Sequence, residues 1–171
     1  MKYDYLAIEK KWQEKWEAAG VFRALDEKEA GGKPKFYALV EFPYPSGAGM
    51  HVGHIKAYSG LEVVSRMRRM QGYNVLFPMG FDAFGLPTEN YAIKTGMHPR
   101  AVTDKNIAKF TQQLKRVGYG FDWGRVIDTT DEDYYRWTQW IFLKMFEAGL
   151  AFRDTALVNY CPTCKVVLSN E

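Results

Sequence analysis

Phe36-Tyr37-Ala38-Leu39-Val40-Glu41-Phe42, running into Pro43-Tyr44-Pro45-Ser46-Gly47-Ala48-Gly49-Met50-His51-Val52-Gly53-His54, is the stretch on which the fold turns. Its first seven residues are almost continuously apolar, as in a strand buried on both faces of a parallel sheet. Pro43, Pro45, Gly47 and Gly49 then interrupt the pattern, and His51 to Gln71 resumes it at helical period, with Val52, Ile55, Leu61, Val64, Met67 and Met70 on one stripe until Gly72. Asn74 to Phe81 is a second short apolar run. Strand, loop, long helix and strand make one βαβ unit, whose crossover is expected to be right-handed between parallel strands.

Outward from that unit the chain alternates helical and irregular text. Asp4 is placed to cap a helix carrying Tyr5, Ile8, Trp12, Trp16 and Ala19 up to Gly20. Asp26 to Lys35, with Gly31, Gly32 and Pro34, reads as a loop. Further amphipathic helices are expected from Thr103 to about Gly118 and from Thr130 to Gly149, followed by strand-like pieces at 150–153 and 156–160. The helical spacing of Trp12, Trp16, Trp137 and Trp140 favours core packing over base stacking. The expected organisation is an N-terminal helix and loop over 1–34, an α/β body over 35–149 and a separate start at 150–171.

Composition narrows the function classes. A hydrophobic share of 47% is enough for one packed domain and excludes disorder. Twenty-three Lys and Arg against 20 Asp and Glu leave a net charge of +3, too mild by itself to announce nucleic acid or a membrane. The first 20 residues are laced with Lys, Glu, Asp and Gln, unlike a secretory leader. The longest apolar helical stretch, Tyr134 to Ala148, is broken by Arg136, Gln139, Lys144 and Glu147, so no membrane span and a cytoplasmic location are expected. The two cysteines, Cys161 and Cys164, have the spacing of a metal knuckle or a redox pair.

In open parallel sheets, ligands sit beyond the carboxyl ends of strands, which places the candidate site at Pro43 to His54. Gly47, Gly49 and Gly53 allow sharp turns and close approach, and the following helix offers free N–H groups to an anion such as phosphate. His51 and His54 lie three positions apart on its first turn and can donate to phosphate oxygens together. On spacing alone, a bare strand-to-helix connection with two surface histidines fits equally well. The absence of Gly-Lys-Ser/Thr excludes a Walker loop, and the pattern is not that of a dinucleotide loop. Asp82, at the end of the second apolar run, reads either as a turn residue or as a fixed anion for a cationic substrate group.

With these residues in view, Pro43 to His54 resembles the His-x-Gly-His signature of the class I aminoacyl-tRNA synthetases. Phe42-Pro43-Tyr44-Pro45-Ser46-Gly47, together with Gly80-Phe81-Asp82-Ala83-Phe84-Gly85-Leu86-Pro87-Thr88-Glu89-Asn90, resembles the leucyl-tRNA synthetases more than their valyl, isoleucyl or methionyl relatives. Gly120-Phe121-Asp122-Trp123, Tyr134-Tyr135-Arg136-Trp137 and Val158-Asn159-Tyr160-Cys161-Pro162 extend the likeness over nearly the whole chain.

The resemblance implies an α/β fold, the N-terminal half of a Rossmann-like nucleotide-binding sheet with the start of a connecting or zinc insertion. It implies activation of leucine by ATP, with Mg2+ accompanying the nucleotide, and transfer of leucine to tRNA(Leu). Carried over by position, His51 and His54 act as catalytic residues on the ATP phosphates, and Gly53 packs the adenine. Phe42, Pro43, Tyr44 and Asp82 bind leucine, Asp82 through the ammonium group. Cys161 and Cys164 match half of a zinc knuckle, which needs two further ligands for Zn2+; two thiols in a turn remain the alternative. Arg66, Arg68 and Arg69 form either a solvated face or a contact for tRNA phosphate.

Neither the second signature, Lys-Met-Ser-Lys-Ser, nor an editing domain is recognisable in these residues, so an N-terminal portion of a larger enzyme is expected. Three rival readings stand beside this one. They are a small His-x-Gly-His nucleotidyltransferase, a binding module without catalysis, and a synthetase for another aliphatic amino acid.

Overall fold

A computed structural model describes residues 3–45 and 49–169, so that Ser46, Gly47 and Ala48 of the glycine-rich loop lie outside the described residues. The chain forms two compact units, Met1–Tyr134 and Tyr135–Glu171. In the first, chain order is α1 (Tyr5–Ala18), α2 (Glu27–Ala30), β1 (Lys35–Tyr37), α3 (Val52–Met70), β2 (Asn74–Leu76), β3 (Gly80–Phe81), α4 (Leu86–Thr95) and α5 (Pro99–Val117). A 3-10 turn (Trp123–Arg125) and β4 (Ile127–Asp128) follow.

The expected βαβ unit is present. β1 and β2 pair in parallel, Lys35 opposite Asn74 and Tyr37 opposite Leu76, with α3 between them in the chain. β3 and β4 form a second parallel pair. These ladders are much shorter than the apolar runs, and Pro78, which has no N–H to donate, lies in the break between β2 and β3. Hydrogen bonding nevertheless continues past the breaks. Ala38 N donates to Leu76 O at 2.9 Å, and Asp82 N to Pro43 O at 3.2 Å. On the other side, Asp122 N donates to Phe77 O at 2.8 Å, Ile127 N to Met79 O and Thr129 N to Phe81 O, each at 3.1 Å. Residues 74–82 are therefore the middle line of this layer, flanked by 35–43 and 122–129.

That middle line supplies the core. Phe77, Met79 and Phe81 are fully buried, and Phe110 and Leu114 of α5, Tyr58 of α3 and Phe121 join them. Phe77 and Phe121 meet with ring centroids 4.4 Å apart. α5 thus lies against the sheet through residues at helical spacing.

Several sequence expectations are revised. The segment read as a loop after Asp26 contains α2, because Asp26 and Glu29 close a reciprocal capping box and Gly31 ends the turn in the left-handed region at φ 56°. α4 escaped the periodicity reading, although Pro87 in its first turn and Gly96 at φ 69° bound it. α5 starts at Pro99, a turn before Thr103, with His98 accepting from Arg100 N at 3.2 Å as its cap.

The arginines of α3 are not simply a solvated face, because each makes contacts within the chain. Arg66 bonds Glu62 and Gly118 O, and its guanidinium lies over Trp16 and Phe22. Arg69 donates to Gly120 O, and Arg68 lies over Phe36 and Tyr73. These cations hold α3 to its neighbours through hydrogen bonds and aromatic faces.

The second unit holds most of α6 (Glu132–Glu147) and an antiparallel hairpin of β5 (Asn159–Cys161) and β6 (Val166–Leu168). The expected strand at 150–153 is irregular, and the one at 156–160 is confined to β5. Core packing fails for the α6 tryptophans: Trp137 is 57% exposed and Trp140 51%, and no described residue of α6 is buried. Trp12 is also exposed, while Trp16 packs edge-on against Phe22. Among the described residues, no helix is long and apolar enough to cross a membrane.

Candidate active site

The start of α3 carries the histidine pair. His51 is the N-cap, in extended conformation, and its Nδ1 accepts from Gly53 N at 3.1 Å. His54 in turn accepts at Nδ1 from His51 N at 3.3 Å, and the two rings stack with centroids 3.9 Å apart. Since each Nδ1 accepts, the proton of each neutral ring is assigned to Nε2. Both rings then have an Nε2–H to offer to an anion. Burial, followed by the neighbouring His51, lowers the pKa of His54, while the Glu41 carboxylate opposes that shift.

Gly53 is required by this arrangement. A Cβ there would stand 2.8 Å from His51 Cε1 and 2.9 Å from Nδ1, so the space a side chain would take belongs to the His51 ring. Below the pair, His54 approaches Tyr58 and the edge of Phe110, which seats it on the core. The Tyr58 hydroxyl donates to Glu41 O at 3.0 Å, and burial pushes its phenol up to about 12.

Of the residues assigned to leucine, Phe42 and Asp82 line one cavity, Tyr44 borders another, and the buried Pro43 lines neither of the two. Phe42 and Asp82 line an open cleft of ≈ 600 Å³, together with Val40, Glu41, Thr129 and Tyr134. The Phe42 ring lies across Gly80, where a Cβ would come within 2.5 Å of it. Pro43 is buried, and its carbonyl accepts from Asp82 N, which ties the two strand ends together. Thr129 brackets Asp82: its N donates to Phe81 O, and its Oγ1 accepts from Ala83 N at 2.9 Å. The Asp82 side chain is left exposed in the cleft.

Tyr44 is not with them. Its ring rests on Gly85, and its hydroxyl lies 2.7 Å from Thr88 Oγ1 and accepts from Thr88 N at 3.2 Å. It borders a different cavity, of ≈ 340 Å³, between α4 and α5. Thr129 was not legible as a site residue, because only a parallel pairing with a segment 47 residues away in sequence brings it beside Asp82.

A class I synthetase reading of this geometry can be compared with known proteins. The model of the tRNA synthetases class I (I, L, M and V) matches residues 11–171. The chain belongs to that family. Among relatives of this class I synthetase chain, the leucine–tRNA ligase of Alkaliphilus oremlandii (strain OhILAs) is 59% identical over 170 residues, covering 99% of the chain and 21% of the relative. That of Chlorobaculum tepidum is 54% identical over 171 residues, covering 100% of the chain and 21% of the relative. A similar solved structure is the ternary complex of Agrobacterium radiobacter K84 agnB2 LeuRS with tRNA and LeuAMS. It has a TM-score of 0.86 and 36% identity, over 99% of the chain and 21% of that protein. The chain thus spans about a fifth of the length of these relatives, and its resemblance to leucyl-tRNA synthetases and its class I fold both hold.

The cysteine pair of this synthetase chain sits at the β5–β6 turn. Cys164 N points at Cys161 Sγ at 3.4 Å, and Lys165 N donates to Cys161 O at 2.8 Å, with Lys165 in the left-handed region at φ 55°. Backbone and side-chain hydrogen bonds from Cys164, then the backbone of Thr163, hold the Cys161 thiol below its ordinary pKa. N–H groups aimed at sulfur and a stabilised thiolate suit a metal ligand. Among the described residues, no group of three or more His, Cys, Asp or Glu is placed to hold a metal, and the pair by itself offers two thiols.

Proposed function

We propose that this chain carries the ATP and leucine sites of a leucine–tRNA ligase. In that reaction the leucine carboxylate attacks the α-phosphorus of ATP and the bond to the pyrophosphate oxygen breaks. The leucyl group then passes to a ribose hydroxyl of tRNA(Leu), and AMP leaves. The observation that carries the reading is the self-capped His51–His54 pair at the start of α3, near enough to Glu41 for its carboxylate to act on the His54 ring, while Glu41 lines the cleft with Phe42 and Asp82. It occurs in a chain whose relatives are leucine–tRNA ligases.

No protein nucleophile is needed, so the residues work by position and charge. His51 and His54 donate from Nε2 to the phosphate oxygens, whose charge rises in the transition state. Mg2+ bound with ATP would supply positive charge beside the pyrophosphate. The first turn of α3 at Gly53 takes the adenosine side. Asp82 pairs with the leucine ammonium group and Phe42 offers an apolar wall to the isobutyl side chain, while the Pro43 carbonyl holds the Asp82 backbone in place. Tyr44 acts indirectly, by fixing Gly85 and Thr88 at the start of α4.

Cys161 and Cys164 supply two thiolates to a structural Zn2+, whose remaining ligands come from elsewhere in the protein. Bound there, the metal would brace the hairpin. The tRNA, the rest of the synthetase chain and a cytoplasmic setting belong to the same proposal.

Calorimetric titration of the chain with non-hydrolysable leucyl-, isoleucyl- and valyl-adenylate mimics tests it. Tightest binding of the leucyl compound is expected. A folded chain that binds none of the three would overturn the placement of both sites in these residues, and equal binding of all three would overturn the leucine assignment.

A further inference from the structure

The loop that delivers His51 enters α3 through two residues with demanding backbones. Gly49 is buried and left-handed at φ 90°, and Met50, half-buried, has an N–H that lies outside the helix and outside any strand ladder. A backbone donor in that position needs a partner. It finds one 63 residues away: Met50 N donates to Gln113 Oε1 of α5 at 3.0 Å. The same carboxamide closes the space over Gly49, where a Cβ would meet Gln113 Nε2 and Oε1 at 3.0 Å and Lys109 Cε at 3.2 Å.

Gln113 is itself held in place. Phe110 and Leu114, on either side of it in α5, are fully buried against the sheet. Moreover, Phe110 touches the His54 ring edge-on, so one helix supports both the loop and the histidine that ends its first turn. The amides at positions 50, 51 and 53 are then satisfied by Gln113, His54 and His51 in turn.

We propose that Gln113 is a positioning residue of the synthetase site. Its carboxamide oxygen fixes the Met50 peptide plane and, through the next bond, the direction in which His51 presents its ring. Gln113 touches no substrate in this account; it acts through the Met50 N–H and the backbone of Gly49. The functional half of the inference rests on the function proposed above.

Amide hydrogen exchange and ligand binding, measured together on the chain, test it. Gln113→Met keeps the side-chain length and removes the acceptor, Gln113→Glu keeps an acceptor oxygen, and Gln112→Met controls for the exposed neighbouring position. In Gln113→Met the Met50 amide is expected to exchange faster by about 2- to 10-fold, the range for one net hydrogen bond. The α5 core amides and the thermal midpoint should stay at wild-type values. Protection at Met50 is expected to persist in Gln113→Glu and in the control.

Affinity for the leucyl-adenylate mimic is expected to fall by a similar ~2- to 10-fold in Gln113→Met and not in Gln112→Met. Unchanged Met50 exchange in Gln113→Met, or equal loss in Gln113→Glu, would overturn the positioning role. Unchanged affinity despite faster exchange would overturn its link to the site. If the wild-type chain binds no mimic, the proposed function fails, while the exchange comparison still decides whether Gln113 fixes the loop.

Discussion

The two units of this chain spend similar residues differently. In the first, aromatic residues such as Phe77, Phe81, Phe110 and Phe121 are fully buried, and the candidate site residues stand at the ends of the lines they anchor. In the second, Trp137, Trp140, Phe142 and Phe146 are as apolar yet more than half exposed, and no described residue after 134 is buried. Apolar content therefore does not by itself mark a core. What distinguishes the first unit is a parallel layer on which α3 and α5 close, and that closure is what can hold a histidine pair and a carboxylate at fixed positions.

The sharpest way to break this comparison is to remove one phenyl ring from each unit. Phe121→Ala should destabilise the first unit by about 3–5 kcal/mol, since Phe121 is fully buried and meets Phe77, Tyr58, Tyr119 and Trp123. Phe146→Ala, at a 59% exposed position, should cost less than about 1 kcal/mol. Urea unfolding of both variants, followed by far-ultraviolet circular dichroism, gives the two values. Similar losses would show that the units share one cooperative core.

A smaller effect separates site from scaffold inside the first unit. His54→Ala and Asp82→Ala should each weaken leucyl-adenylate mimic binding by about 1–3 kcal/mol, because each removes a charge-assisted contact. The Asp82 side chain is exposed in its cleft, so its loss should leave the urea midpoint near that of the parent chain. Calorimetry on the two variants decides the point, and binding equal to wild type would remove these residues from the site.

How much of this was legible in the sequence follows the range of each interaction. Local signals were: the Asp4 cap, the α3 stripe ended by Gly72, the βαβ order, and the His51/His54 spacing, which put both rings on one turn. The short α2 and α4 were also encoded locally, by Asp26 with Glu29 and by Pro87 with Gly96, but these caps surround too few periodic residues to stand out. The partners supplied from afar were not legible. Nothing in the run around Gln113 or Thr129 announces that one meets Met50 and the other Ala83, since both contacts arise only when separate elements pack on one sheet. The tryptophans of α6 show the converse error, in which a helical stripe predicts a buried face without saying what covers it.

The smallest expected effect concerns protons. Burial is the leading reason that the His54 pKa is lowered, and the nearby His51 adds to it. In the unfolded chain the same ring titrates near the ordinary histidine value of about 6.5. Between that value and the lower folded one, the unfolded state binds more protons than the folded state, so stability rises with pH across this window. The contribution of a neutral His54 is therefore complete above the ordinary value and is lost as pH falls through the folded one. Protonation also removes the Nδ1 acceptor that receives His51 N–H, so acid opens the cap of α3 as well as charging the ring. The His54 ring signal in an NMR titration should have its midpoint below that of an ordinary histidine, and His54→Gln should flatten the fall in stability on the acid side of that window. A midpoint at or above the ordinary value would mean that the Glu41 carboxylate, rather than burial and His51, governs the ring.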